Sequence, residues 1–235
     1  MGSGRSGSGS EKPAALVLAH GAFHGPWCWQ PLMERLERDG TLCVAVDLNR
    51  GGLAKDAEAL QQSVDLLRHE GHRVHAIGHS LGCPPVSWLD PESVATAIFL
   101  AGPLEGGGLP DSADCVDEAF PKRLQPQPDG RFFISREDAH EAFYLRCRRD
   151  EAEWALDRLR PTFVYGAKAT TVPIWEKVPA NNVVCTDDGA VRPDYQRGVA
   201  EGLPHSATID FDHSPMLGAV DRLAEIVREA MARAD

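Results

Sequence analysis

The chain has 235 residues, 43% of them hydrophobic and 25% charged, with a formal net charge of −11. That length suits one large domain able to bury a sizeable core. The acidic balance argues against a polyanionic partner such as nucleic acid, and no apolar stretch approaches membrane-spanning length.

Met1–Ser10 is glycine and serine with one arginine. It has no hydrophobic region, so it is expected to be a flexible tail or an appended remnant rather than a secretory signal. Residues 11–235 are then expected to form the folded domain. Ala14–Ala19 is a short apolar run, as a strand buried on both faces requires. A loop from His20 to Trp27 follows, then a helix from Trp29 to about Arg38 that stops at Gly40. Cys43–Leu48 is a second strand. Ala54–Glu70 has Ala57, Leu60, Val64 and Leu67 at helical spacing. Arg73–Gly78 is the third strand. It runs into Gly78-His79-Ser80-Leu81-Gly82, a Gly-x-Ser-x-Gly sequence in which a helix can follow the serine. Pro84 and Pro85 predict that this helix is short or bent. Val94–Ala101 is the fourth strand. Strands alternating with helices predict a parallel sheet with right-handed crossovers.

The alternation then stops. From Gly102 to about Val178 no comparable strand is expected, only one helical patch over Arg136–Leu159. A segment of this length inside a compact domain is usually functional, so about 105–178 is expected to cap the sheet's carboxyl edge, leaving 11–104 and 179–235 as the core. Strands return at Asn182–Thr186 and Ala207–Phe211, with helices over Pro193–Gly202 and Leu217–Ala232. The six cysteines are scattered without a Cys-x-x-Cys pair, which predicts reduced core thiols in a cytoplasmic protein rather than zinc ligands or disulfides.

A serine hydroxyl needs an adjacent base, usually a histidine oriented by a carboxylate. Ser80, Asp188 and His213 each follow a strand, in the chain order Ser, Asp, His, and so fall on the carboxyl edge of the sheet. Asp187 and Asp47 are the competing carboxylates. His79 is expected to turn its ring away from the serine, and His69, His72 and His75 to be surface or edge residues. The oxyanion formed by attack on a carbonyl needs two N–H donors; the expected ones are Leu81, after the serine, and Ala22, in the loop after the first strand. Phe23, Trp27, His79 and Phe143 are the candidates for contacting substrate. No metal site is expected.

The stretch His20-Gly21-Ala22-Phe23-His24-Gly25-Pro26-Trp27-Cys28-Trp29, the serine motif, Asp188 and Asp212-His213 together resemble the α/β-hydrolase group of plant methylesterases and hydroxynitrile lyases, with its bacterial salicylate-ester-like esterases. The likeness runs over nearly the whole chain after Glu11. Phe143–Cys147 and Glu153–Leu156 resemble the cap of the bacterial members. The resemblance implies the α/β-hydrolase fold: a mainly parallel twisted sheet flanked by helices, with a small, mostly helical cap inserted after the strand ending near Ala101. It implies a cofactor-free enzyme using Ser80, His213 and Asp188, with Ala22 and Leu81 as oxyanion donors. The lyases resemble one another in a threonine after the first histidine of the loop and a lysine after the catalytic histidine. Gly21 and Ser214 stand at those positions and favour the esterase branch. Cys83-Pro84-Pro85, the short Arg50-Gly51-Gly52 turn and the charged run Arg146–Asp150 depart from the pattern.

The expected function is hydrolysis of a small carboxylic ester, lactone or thioester through an acyl-enzyme on Ser80, with His213 as general base. The alternatives are a cofactor-free lyase, cyclase or decarboxylase step in a natural-product pathway, and a small-molecule receptor. The expected partner is a small ester-like substrate, with neither nucleic acid nor membrane, and a homodimer is left as an open option.

Overall fold

The structure is a computed structural model that describes residues 12–234; the Met1–Ser10 tail lies outside the described residues. Among the described residues, eight strands and eight α-helices follow in chain order. The first part holds β1 (Ala14–Ala19), α1 (Gln30–Glu37), β2 (Leu42–Val46), α2 (Leu53–His69), β3 (Arg73–His79), α3 (Cys83–Ser87) and β4 (Thr96–Leu100). An insertion contributes β5 (Leu124–Pro126), β6 (Phe132–Ile134), α4 (Arg136–Phe143) and α5 (Arg149–Leu156). The chain closes with β7 (Ala180–Cys185), α6 (Pro193–Gly202), β8 (His205–Ile209), α7 (Pro215–Gly218) and α8 (Val220–Ala232).

Six strands form one parallel sheet in the order β2-β1-β3-β4-β7-β8. The four inner strands are buried almost throughout, while β2 and β8 at the edges alternate with solvent. This is why β1 and β4 are nearly continuous apolar runs: helices cover both faces. The strand period of two divides the core. Leu16, Leu18, Ile77 and Ile98 face α1 and α8, and Ala15, Val17, Ala76 and Phe99 face α2 and α3.

The order in which strands are added reverses between β1 and β3, since β2 lies beyond β1 and β4 beyond β3. Ligands of open α/β folds bind outside the carboxyl ends of strands at such a point. Pairing of Ala19 with Gly78 brings the loop after β1 against the turn after β3. Each of the first four strands is followed by a non-glycine residue in the left-handed region: Phe23 at φ 64, Asn49 at 79, Ser80 at 51 and Ala101 at 47. Such a conformation costs about 1–2 kcal/mol per residue and persists only where packing imposes it.

The insertion differs from the sequence expectation in two respects. It contains a short antiparallel pair, β5 with β6, too brief for a periodic signal. The single helix expected over Arg136–Leu159 is two, broken at Tyr144–Arg148. The break is fixed by tertiary bonds: the Tyr144 hydroxyl donates to His24 at 2.7 Å, and the Arg146 N–H donates to the Asp212 carboxylate at 2.7 Å. Glu151 then accepts from the Arg148 N–H at 2.8 Å and starts the second helix. The last core strand is also earlier than expected, because the chain turns after Ile209, where Phe211 N–H bonds back to its carbonyl at 3.0 Å. His75, expected at an edge, is buried within β3.

The turn after β3 depends on glycines for space rather than for φ. A Cβ on Gly82 would lie 2.3 Å from the Ala19 carbonyl oxygen, and one on Gly78 would lie 2.4 Å from that of Gly82. Gly40 has φ +88 but open space around it. Gly82→Ala should therefore cost on the order of 3 kcal/mol by backbone displacement, against about 1 kcal/mol for Gly40→Ala. Urea denaturation of the two variants checks that order.

Candidate active site

Ser80 closes β3 and opens a single turn of 3-10 helix, Ser80–Gly82, ahead of α3. Its left-handed backbone lifts the side chain off the sheet. Gly21 of the neighbouring loop sits beside it: a Cβ there would come within 2.9 Å of the Ser80 Cβ and 3.0 Å of His79 Nδ1. A threonine at position 21 could not occupy this space without movement.

His213 lies in the turn after β8 and is buried. Its Nδ1–H donates to Asp188 Oδ2 at 2.8 Å. The carboxylate is otherwise saturated. Asp188 Oδ1 accepts the N–H groups of Ala190 and Val191, both at 2.8 Å, and Oδ2 accepts Gln196 Nε2 at 2.9 Å. Gln196 is itself buried and accepts Cys185 N–H at 2.8 Å. With Nδ1 committed to Asp188, Nε2 carries the lone pair of the neutral ring. The competing carboxylates are elsewhere. Asp187 has a 64% exposed side chain near Arg146, and Asp47, 52% exposed, is paired with Arg160.

Ser80, His213, Ala22 and Leu81 border one cavity of about 450 Å³. Phe23 and Phe143 form part of its wall. Phe143 also packs on the His213 ring, with centroids 5.4 Å apart. The other two substrate-contact expectations are corrected. Trp27 lies outside this cavity, against His24 and Trp154, with centroids 5.3 Å away in each case. His79 is fully buried, and its Nε2–H donates to the His213 carbonyl at 2.8 Å, with the two ring centroids 4.5 Å apart. The insertion supplies much of the remaining wall, including Val116, Phe120, Leu124, Phe132 and Tyr165. These had no signal in the sequence, because they belong to a segment without strand or helix periodicity. Gln196 was equally silent: a buried amide in an amphipathic helix looks like any polar residue. No Asp, Glu, Lys or Arg lines this cavity among the described residues. Among the described residues no cluster of potential metal ligands occurs either.

In the loop after β1 the amide following Ala22 is occupied: Phe23 N–H donates to Thr162 Oγ1 at 2.8 Å. The Ala22 carbonyl accepts His24 Nδ1–H at 2.7 Å, and His24 Nε2 accepts the Tyr144 hydroxyl. Burial lowers the His24 pKa to about 3 and holds His79 well below the ordinary histidine value. Both rings are neutral and do not compete with His213 for charge.

This has a consequence for stability. Between pH 6.5 and about 3 the unfolded chain binds a proton at His24 that the native state refuses. Unfolding therefore takes up protons, and stability falls as pH drops through that window. His24→Gln removes this linkage. Urea denaturation should show the wild type losing about 2 kcal/mol more than the variant between pH 7 and pH 5; equal losses would contradict a neutral, buried His24.

Comparison with known proteins bears on the whole chain. The model of the "Alpha/beta hydrolase family" matches residues 16–226. Norfluorocurarine synthase 1 of Strychnos nux-vomica is 27% identical over 95% of this chain and 97% of its own. Methylesterase 9 of Arabidopsis thaliana is 25% identical over 89% of this chain and 94% of its own. Among solved structures, tomato methylketone synthase I in complex with 2-tridecanone superposes with a TM-score of 0.78 at 19% identity, over 95% of this chain and 99% of that one. The expected likeness to plant methylesterases is thus present along the chain. With its parallel six-stranded sheet and a family match from Leu16 to Ile226, this chain belongs to the alpha/beta hydrolase family.

Proposed function

We propose that the protein is a serine hydrolase that cleaves a small, uncharged carboxylic ester through an acyl-enzyme on Ser80. The observation that carries this reading is the convergence on one uncharged cavity of Ser80, at φ 51, and His213, whose Nδ1 is bound by the buried Asp188. Kinship with methylesterase 9 supports the choice of ester over other substrates.

In the first half-reaction Ser80 Oγ attacks the carbonyl carbon while His213 Nε2 takes its proton. Asp188 keeps the ring in the required tautomer and stabilises the imidazolium; its other hydrogen bonds keep the carboxylate in place. The N–H groups of Ala22 and Leu81 receive the oxyanion. The tetrahedral intermediate collapses, the bond to the alcohol oxygen breaks, and His213 returns its proton to that oxygen. In the second half-reaction His213 deprotonates water, which attacks the acyl carbon, and collapse releases the acid and restores Ser80. Every proton is carried by these side chains and water, and no further cofactor is called for. Residues of about 105–178 act as the cap that separates this chemistry from bulk water, and the free cysteines fit a reducing, cytoplasmic setting.

The wall sets the substrate class. A charged group in this cavity would lose its hydration without gaining a partner. Ser214, in the position after His213, is fully buried and brings no cation to the site, which weighs against stabilising an anionic leaving group such as cyanide. A second reading keeps the same base and donors for a lyase, cyclase or decarboxylation step, and kinship to norfluorocurarine synthase 1 is what favours it.

Ser80→Ala should reduce hydrolysis of p-nitrophenyl butyrate by at least about 10³-fold with the fold intact by circular dichroism, and Asp188→Asn by about 10²–10⁴-fold. A fluorophosphonate should add its mass to the Ser80 peptide alone. A Ser80→Ala variant that hydrolyses the ester at the wild-type rate would exclude the acyl-enzyme. One that loses the ester activity but keeps decarboxylating β-keto acids would support the second reading. Among esters, p-nitrophenyl butyrate should exceed p-nitrophenyl hemisuccinate in kcat/KM by about 10²-fold or more.

A further inference from the structure

The oxyanion donor assigned to Ala22 has to be aimed, and the bonds that aim it can be followed one by one. No described peptide bond is cis, so the Ala22 N–H points opposite to the Gly21 carbonyl within one peptide plane. That carbonyl accepts a hydrogen bond from His20 Nδ1 at 2.9 Å. The bond exists only if Nδ1 carries the ring proton. Nε2 decides this: Leu48 N–H donates to it at 3.1 Å and Arg160 Nη2 lies 3.3 Å away, both nearer than the Asp47 carboxylate at 3.5 Å, so it offers a lone pair.

Arg160, at the far end of the insertion, holds the rest of the loop as well. Its own N–H donates to the Phe23 carbonyl at 2.9 Å, and its Nε donates to the His24 carbonyl at 3.0 Å. Its guanidinium packs on Gly25, pairs with both oxygens of Asp47 and reaches the Leu48 carbonyl at 3.4 Å. Two residues further on, Thr162 accepts the Phe23 N–H. Phe23, at φ 64, therefore has both its amide and its carbonyl held by the insertion. Arg160 does not line the cavity. Planar, with five donors in fixed directions, it reaches two loop partners and both oxygens of an acid at once, more than the three donors of a lysine can serve.

We propose that Arg160, anchored by Asp47, is a positioning residue for the reaction: it fixes the tautomer of His20 and the path of residues 20–24, so that the Ala22 N–H faces the developing oxyanion. The assignment rests on the hydrolase reading given above. It distinguishes Arg160 from a staple that merely fastens the insertion, because an aimed donor acts on the transition state and barely on the ground state.

The test uses full-length protein with p-nitrophenyl butyrate as substrate and a butyl trifluoromethyl ketone, which forms a tetrahedral adduct with a serine, as inhibitor. Arg160→Ala should lower kcat by about 10–100-fold while KM stays within about twofold. The Ki of the ketone should rise by the same factor by which kcat/KM falls. Arg160→Lys should recover only part of the loss. Asp47→Asn, which leaves every loop bond in place but frees the guanidinium, should show a smaller loss with the same kcat and Ki signature; it serves if Arg160→Ala does not fold. Arg131→Ala, which removes an exposed arginine paired with Asp129 in the insertion, should behave as wild type. Wild-type kcat in Arg160→Ala, or a loss of kcat with unchanged ketone affinity, would overturn the assignment. So would a loss that tracks the unfolded fraction in urea. A wild-type protein that shows no ester turnover and forms no ketone adduct would instead overturn the hydrolase reading, and this assignment with it.

Discussion

The structure depends on holding backbone in the left-handed region at the carboxyl edge of the sheet. Ser80 is the central case. Its carbonyl oxygen would lie 2.5 Å from a Cβ on Gly102, and the flanking Gly78 and Gly82 let the chain pass against itself and against β1. The same sheet that buries Leu16, Val17, Ala76, Ile77 and Phe99 on its two faces offsets this strain, because relaxing the turn would require β3 to move. Phe23, Asn49 and Ala101 show the same arrangement after β1, β2 and β4. A strained edge above an unstrained core presents side chains and amide groups where a substrate can reach them.

A second constraint is electrostatic. The site gathers several histidines in a dry region, yet only His213 has a carboxylate on one nitrogen and the cavity on the other. His24 is held neutral by burial between the Ala22 carbonyl and Tyr144, and His79 by burial behind His213. Low polarity strengthens the one bond from His213 to Asp188 and makes an extra charge costly. The cavity wall follows the same logic, since no charged side chain borders it among the described residues.

The sheet was legible in the sequence because its inner strands are built on short apolar runs and its helices carry a regular apolar stripe. The serine turn was legible because a close approach of backbones demands glycine at 78 and 82. The order of Asp188 and His213 and their positions after strands could be read from the sequence, while the bond of His213 to Asp188 rather than Asp187 is seen only in the structure. The insertion was legible as an interruption of the alternation, but its internal elements were not. Its elements are short, and its helix break at Tyr144–Arg148 is set by contacts with His24 and Asp212, which are distant in the chain. The role of His79 was hidden for the same reason: its partner is the carbonyl of His213, 134 residues away. Arg160 meets His20 across 140 residues, and nothing local marks it out from the other arginines of an acidic chain.

The claim on which the account turns is that turnover passes through an acyl group on Ser80. Butyrate esters with different leaving groups, hydrolysed in the presence of methanol, test it most directly. A shared acyl-enzyme partitions between water and methanol after the alcohol has departed, so the ratio of methyl butyrate to butyric acid should be the same for p-nitrophenyl, phenyl and ethyl esters. A ratio that changes with the leaving group would place water or methanol on the ester itself and contradict the account.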